Sequence, residues 1–271
     1  MNRERVTITI RGDILKQLNR IVDGVAIRSR SQAVEYLLSK SLTDYRIKNA
    51  IILAGGPKDK IIIGKEPKFI LPLDDGTLIE KVLSDLTEFG IGNFTIYADH
   101  FIDRIAEHFE KKQLPYNISF MRGEKNSGTL DALLKTKGTL NETFLVAYGD
   151  TLSSLNLNEM LSFHKKQESI ATIALTTVSN PHKYGVAELE GTKVKRFTEK
   201  PKGTVDSFMI NAGYIIFEPE VFKFMSRNMT SIEKDLLPKL AERGLLHGYT
   251  FQGRYININS MADIKRARLL L

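Results

Sequence analysis

Two rhythms of apolar residues run through this chain, and the change between them falls in the mid-forties. Arg5-Val6-Thr7-Ile8-Thr9-Ile10-Arg11 alternates polar and apolar residues without a break. Strand side chains repeat every two residues, so Val6, Ile8 and Ile10 share one face while Arg5, Thr7, Thr9 and Arg11 share the other. Gly12-Asp13 breaks the run, with Asp13 as the expected N-cap of a helix. Ile14, Leu15, Leu18, Ile21 and Val22 then recur at helical spacing, and Gly24 ends that helix. After Arg28-Ser29-Arg30-Ser31 comes a second helical stretch, with Ala33, Val34, Leu37 and Leu38 apolar and Ser29 or Ser31 as cap. One strand and two short helices in about 40 residues bury little, and a lone strand leaves its backbone groups unpaired. The pattern therefore predicts a homodimer, or a higher oligomer, in which the same strand of a second chain completes a two-stranded ribbon.

From Asn49 onward the pattern switches to continuous apolar strands alternating with helices, the signature of a largely parallel sheet. Strands are expected at Asn49–Ala54, Phe94–Ala98, Ile118–Met121, Phe144–Tyr148, Ile170–Val178, Gly185–Leu189, Val194–Thr198 and Met209–Phe217. Helices are expected at Leu78–Phe89, Ile102–Lys112, Ile232–Arg243 and Met261–Leu271. The predicted organisation is a small domain over 1–44 and an α/β domain over 49–271, joined without a Gly/Ser linker. Gly55-Gly56 directly follows the first strand, where ligand phosphates can approach the backbone, although tight turns use Gly for steric reasons as well. Asp150 ends another strand, where its carboxylate would either hold Mg²⁺ or cap the next segment.

The chain has no cysteine, which removes disulfides and thiolate metal sites. No apolar run approaches the ~20 residues that span a bilayer, so a cytoplasmic protein without a membrane partner is expected. The five histidines (100, 108, 164, 182, 247) show no metal-ligand spacing and are expected mostly at the surface. Charge is unevenly spread: residues 1–48 hold ten Lys/Arg against five Asp/Glu, so +5 of the net +7 lies there. A basic segment of this kind suits a polyanion.

The first 44 residues resemble the ribbon-helix-helix repressors of the MetJ and Arc class, through the order strand, helix, turn, helix and the Ser-basic-Ser at the second helix. That resemblance implies double-stranded DNA as partner, with Arg5, Thr7 and Thr9 reading bases and Arg30 and Ser31 clamping a phosphate. A ribbon that only dimerises the chain is the alternative.

The remainder is similar to the sugar-1-phosphate nucleotidyltransferases, an α/β, Rossmann-like (GT-A-like) fold. Leu53-Ala54-Gly55-Gly56, Pro67-Lys68, Gly128-Thr129 with Ala132-Leu133, Gly149-Asp150, Tyr184-Gly185, Glu199-Lys200-Pro201 and Asn211-Ala212-Gly213 follow that family's motifs in order. The resemblance implies a nucleotide held by Leu53, Ala54, Gly55, Gly56, Lys68, Gly128 and Thr129. It further implies a sugar phosphate held by Gly185, Glu199, Lys200 and Asn211, with Mg²⁺ on Asp150 if the chain is catalytically active. Two departures fall at the reactive end. The family's phosphate-gripping G-T-R reads Pro57-Lys58-Asp59-Lys60, and its second metal carboxylate is Asn257, a weaker Mg²⁺ ligand. From these departures we expect a DNA-binding transcriptional regulator whose larger domain senses a nucleotide, a nucleotide sugar or a related metabolite, with catalysis weakened or lost. The alternative is an active nucleotidyltransferase with an autoregulatory or dimerising N-terminal module.

Overall fold

The computed structural model describes residues 6–25, 27–42, 46–124, 127–226 and 228–270, and the chain divides into two compact units at Tyr45/Arg46. The N-terminal unit contains two helices, α1 (Gly12–Ile21) and α2 (Arg30–Leu42), with Leu18 and Ala33 buried. Asp23 shapes the turn between them by accepting the backbone N–H groups of Val25 (2.8 Å) and Ile27 (2.9 Å), beside Gly24 at φ +76°. Ser29 is the cap of α2, its Oγ accepting the Gln32 N–H at 3.1 Å. Arg30 Nε donates to Asn19 Oδ1 at 2.8 Å and ties the helices together.

One expectation is corrected in this unit. Arg11, not Asp13, occupies the N-cap position of α1, without a side-chain cap; Asp13 sits inside the first turn and pairs with Arg11 at 3.1 Å. An acidic first-turn residue still meets the positive end of the helix, which is why the substitution of roles is tolerated. Residues 6–10 pair with no strand of their own chain among the described residues, and Arg5 lies outside them. Val6 and Ile8 are 76% and 53% exposed within the single chain.

The second unit is built on a nine-stranded sheet. In chain order its strands are β1 (Asn49–Leu53), β2 (Asn93–Ala98), β3 (Asn117–Arg122), β4 (Phe144–Tyr148), β5 (Ala171–Thr177), β6 (Gly185–Glu190), β7 (Lys193–Glu199), β8 (Met209–Phe217) and β9 (Leu246–Thr250). Their order across the sheet is β5-β9-β7-β6-β8-β4-β1-β2-β3, with β5 also paired to β8. From β3 to β4 all neighbours run parallel; β8 enters antiparallel to β4, with Tyr214 opposite Ala147. Alternation along β1 decides the two faces: Ala50 and Ile52 join one apolar cluster, Ile51 and Leu53 the other. The first cluster is covered by α3 (Leu78–Glu88), α4 (Ile102–Phe109), α6 (Leu157–Lys166) and α8 (Met261–Leu270), the second by α5 (Leu130–Thr136) and α7 (Leu237–Glu242). Helices on both faces are what the parallel part of this mixed sheet requires, since both its faces are apolar.

α3 starts with a capping box in which Thr77 N–H donates to Glu80 Oε2 at 2.9 Å. The segment expected as one helix from Ile232 to Arg243 is instead a π-helical turn, Ile232–Leu236, running into α7. The histidine expectation also fails, with His182 alone fully at the surface. His164 and His247 are buried, each because a hydroxyl partner waits for it: Thr172 at 2.8 Å and Ser169 at 2.5 Å. Among the described residues no helix is long and apolar enough to cross a membrane.

Candidate active site

β1, β2 and β4 run side by side, and their carboxyl ends open onto one edge of the sheet, the place where open α/β sheets bind ligands. Leu53 and Ala54 lie buried at that edge with their main chain in use: Leu53 O accepts the Gly149 N–H at 2.9 Å, and Ala54 N–H donates to Tyr97 O at 2.8 Å. Gly55 passes so close to β2 that a Cβ there would lie 2.8 Å from Asp99 Oδ1. Gly56 follows at φ +130° and donates its N–H to the same oxygen at 3.0 Å. Asp99 is therefore part of the glycine loop, a role the motif does not announce. The segment that stands in place of the family's G-T-R forms a short helical turn, Lys58–Ile61, with the Lys58 ammonium 5.7 Å from the Phe101 ring centre. Asp59 is exposed and lies 3.8 Å from its neighbour Lys60.

Opposite this loop, Lys68 begins a short 3₁₀ turn and is only 3% exposed. Its ammonium lies 2.6 Å from Asp150 Oδ2 and donates to Asn259 Oδ1 at 3.1 Å. A buried lysine needs such partners, because an unpaired ammonium in the interior is costly. Asp150 follows Gly149, whose added Cβ would lie 3.3 Å from Leu53 O, so β4 and β1 converge here. Asn257 pairs in register with Thr151, and its Oδ1 accepts the Asn259 amide at 2.5 Å, which brings it next to Asp150. Among the described residues no group of three or more His, Cys, Asp or Glu side chains forms a ready-made metal site. The donors present are one carboxylate, shared with Lys68, and one amide oxygen. Mg²⁺ is commonly held by one or two carboxylates together with substrate phosphates and water, so this set fits an ion shared with a nucleotide.

Gly128, at φ +80°, and Thr129 lie between Tyr97 and the 230–233 segment. The Tyr97 hydroxyl, at the end of β2, donates to Asp131 at 2.8 Å and stands 2.7 Å from Ser127 Oγ; its burial pushes the phenol above its ordinary range. Thr129 Oγ1 donates to Glu233 at 2.8 Å and accepts the Ile232 N–H at 2.9 Å. Its hydroxyl is thus engaged within the protein.

On the far side of Asp150, Gly185 stands opposite Glu199 in the β6–β7 ladder, and a Cβ on Gly185 would lie 2.3 Å from the Phe197 ring and 3.0 Å from the Glu199 carboxylate. Lys200, at φ +48°, pairs with Glu199 at 3.2 Å. Asn211 is buried on β8 and accepts the Gly213 N–H at 3.0 Å. Three contacts join this half to the Asp150 half. Gly213 lies against Tyr148, with a Cβ position 2.5 Å from its ring, and the Tyr184 and Tyr255 rings meet at 6.2 Å. Tyr214 donates to Thr151 O at 3.1 Å, and burial pushes its phenol up to about 12. The site residues expected on the larger domain thus gather along one side of the sheet. Tyr97, Asp99, Tyr148, Glu233 and Asn259 were missed, since each acts through a neighbour distant in sequence.

Comparison with known proteins gives a consistent result. A nucleotidyl transferase family model matches residues 49–256. The chain is 29% identical over 223 residues to the mannose-1-phosphate guanylyltransferase catalytic subunit beta of Xenopus tropicalis, and 29% identical over 223 residues to the protein of the same name from Dictyostelium discoideum. Each alignment covers 79% of this chain and 62% of the relative, so the chain spans about three fifths of those relatives' length. A solved structure of UDP-glucose pyrophosphorylase with UDP-glucose superposes with a TM-score of 0.70 at 22% identity, covering 82% of this chain and 97% of that one, a likeness of fold. These findings overturn the expectation of a DNA-binding transcriptional regulator with weakened catalysis. The relatives carry the names of enzymes, and nothing in the comparisons supports a DNA-binding domain at the N-terminus. With a match that covers most of its length, the chain belongs to the nucleotidyl transferase family.

Proposed function

We propose that this protein transfers a nucleotidyl group from a nucleoside triphosphate to a sugar 1-phosphate, with guanylyl transfer to mannose 1-phosphate as the expected pair. The observation that carries this reading is the buried Lys68–Asp150 pair at the carboxyl ends of β1 and β4, facing the Gly55-Gly56 loop. The names of the relatives support the choice of pair. In the reaction a phosphate oxygen of the sugar 1-phosphate bonds to the α-phosphorus. The bond from that phosphorus to the β-bridging oxygen breaks, and pyrophosphate leaves with the electron pair.

Such chemistry rests on positioning and on neutralising charge. Lys68 offers an ammonium whose orientation is already set by Asp150 and Asn259, so little reorganisation is needed as charge develops. Gly55 and Gly56 let phosphates approach the backbone, and Gly128 does the same on the base side. Glu199, Lys200 and Asn211 are the groups for the sugar phosphate. Mg²⁺ would be held by Asp150 with the Asn257 amide oxygen and would supply positive charge across phosphate oxygens.

The test is pyrophosphate release by the full chain with Mg²⁺ and each common nucleoside triphosphate, paired in turn with mannose 1-phosphate and glucose 1-phosphate. Turnover with GTP and mannose 1-phosphate is expected to be fastest. Absence of release with every pair ends the reading.

A further inference from the structure

The Gly128-Thr129 segment is clamped by a turn about a hundred residues further along the chain. Thr230 O accepts the Leu130 N–H at 3.0 Å, and Gly128 lies so near that a Cβ would be 2.2 Å from the same oxygen. The clamp converges on one carboxylate. Glu233, in the π-helical turn Ile232–Leu236, accepts Thr129 Oγ1 at 2.8 Å and Ser231 Oγ at 2.7 Å on Oε2. On Oε1 it accepts the hydroxyl of Tyr148. Tyr148 ends β4, one residue before Gly149-Asp150, and its ring also packs against Gly213.

We propose that Glu233 is a positioning residue that sets the distance between the nucleotide-side turn at Gly128-Thr129 and the Asp150 end of β4. The proposal rests on the proposed function, in which this edge binds a nucleoside triphosphate. Three hydroxyls from three segments end on one carboxylate that has no role in the transfer chemistry itself. A helix interrupted by a π-turn is a costly local choice that recurs at functional sites. Here the turn aims Glu233 inward. Burial raises the Glu233 carboxyl above its ordinary range, opposed by the hydrogen bond from Thr129. The three hydroxyls share this one carboxyl group, so losing one of them loosens the others.

Glu233→Ala, Glu233→Gln, Thr129→Val and the double variant Glu233→Ala/Thr129→Val test this in the full chain. The nucleoside triphosphate is whichever of GTP, ATP, CTP, UTP and dTTP the wild type turns over best. Glu233→Ala should raise its KM and its calorimetric Kd at least about tenfold, with the KM for sugar 1-phosphate changed less than about twofold. Glu233→Gln, which keeps an acceptor, should fall between Glu233→Ala and wild type. The double variant should be no worse than Glu233→Ala, since both remove one linkage. A residue that merely stabilises the fold would lower Tm while leaving the two KM values in their wild-type ratio, and that result overturns the proposal. If Glu233→Ala does not fold, Thr129→Val and Glu233→Gln decide by the same ratio. A wild type that binds no triphosphate sinks the reading of the site, and this proposal with it. A wild type that binds one, with Glu233→Ala unaffected, sinks the proposal alone.

Discussion

Lys68 is a largely buried cation, and its two polar partners, Asp150 and Asn259, account for its tolerance. Replacing it by methionine removes the ammonium while keeping the stem's volume. Lys68→Met should lower kcat by about 100-fold, the usual cost of losing one preorganised electrostatic group, measured by steady-state pyrophosphate release. Asp99 invites the opposite result. Its carboxylate lies beside the loop that phosphates approach, and its Oδ1 holds the Gly56 N–H. Asparagine keeps that acceptor and drops the charge. Asp99→Asn should therefore lower the KM for the triphosphate by roughly threefold to tenfold, a range set by weakening one like-charge interaction. A higher KM would mean that the charge, not the acceptor, shapes the loop.

At the scale of elements, one network fastens the central strands to a helix. Glu218, just past β8, accepts His164 Nε2 at 3.0 Å and Lys165 Nζ at 2.5 Å from α6, and Thr143 Oγ1 at 3.0 Å from the entry to β4. Burial pushes the Glu218 carboxyl up, but the bonds from His164 and Lys165 outweigh it and bring the value down to about 2, against 4.5 ordinarily. A carboxyl held low in the folded state stabilises the protein above its unfolded value, and that stability is lost as pH falls from about 4.5 toward 2. The amount at stake is roughly 3 kcal/mol. His164, kept low by burial, acts in the same direction: below its unfolded value of 6.5 the unfolded chain takes up a proton that the fold resists. Denaturant unfolding of Glu218→Gln between pH 3 and 7 should show lower stability at neutral pH and a flatter acid limb. An acid limb as steep as that of wild type would place the acid sensitivity elsewhere.

For the whole molecule, the family match falls wholly within the unit Arg46–Leu271, which has its own two-faced core. A chain of residues 46–271 should keep kcat/KM within about twofold of the full protein, as expected when two units fold as separate cooperative bodies. The N-terminal unit has a different need. Its described buried apolar residues are Leu18 and Ala33, while Val6, Ile8 and Leu38 stay exposed. So small a core is marginal without association. We therefore expect the unit to pair with a second copy of itself, and Val6→Ser/Ile8→Ser to shift the full chain toward monomer in sedimentation velocity. A wild type that sediments as a monomer at every concentration would remove this expectation.

Sequence alone determined the α/β class and nearly every strand of the large sheet, from Asn49–Leu53 to Met209–Phe217. It could do so because periods of two and of 3.6 residues record which side of each element meets a core. The glycine positions were legible for a related reason: Gly56 and Gly128 take backbone conformations that other residues resist, so the residue type itself marks the place. At residues 6–10 the same local signal states which faces differ, while a partner strand is a matter of a second chain. The ammonium of Lys68 against Asp150, the Asp99 acceptor for Gly56 across 43 residues and the Glu233 clamp on Thr129 across 104 were decided by the tertiary structure alone. Each is a single contact between segments brought together by sheet order, and a single contact leaves no periodic trace in either segment.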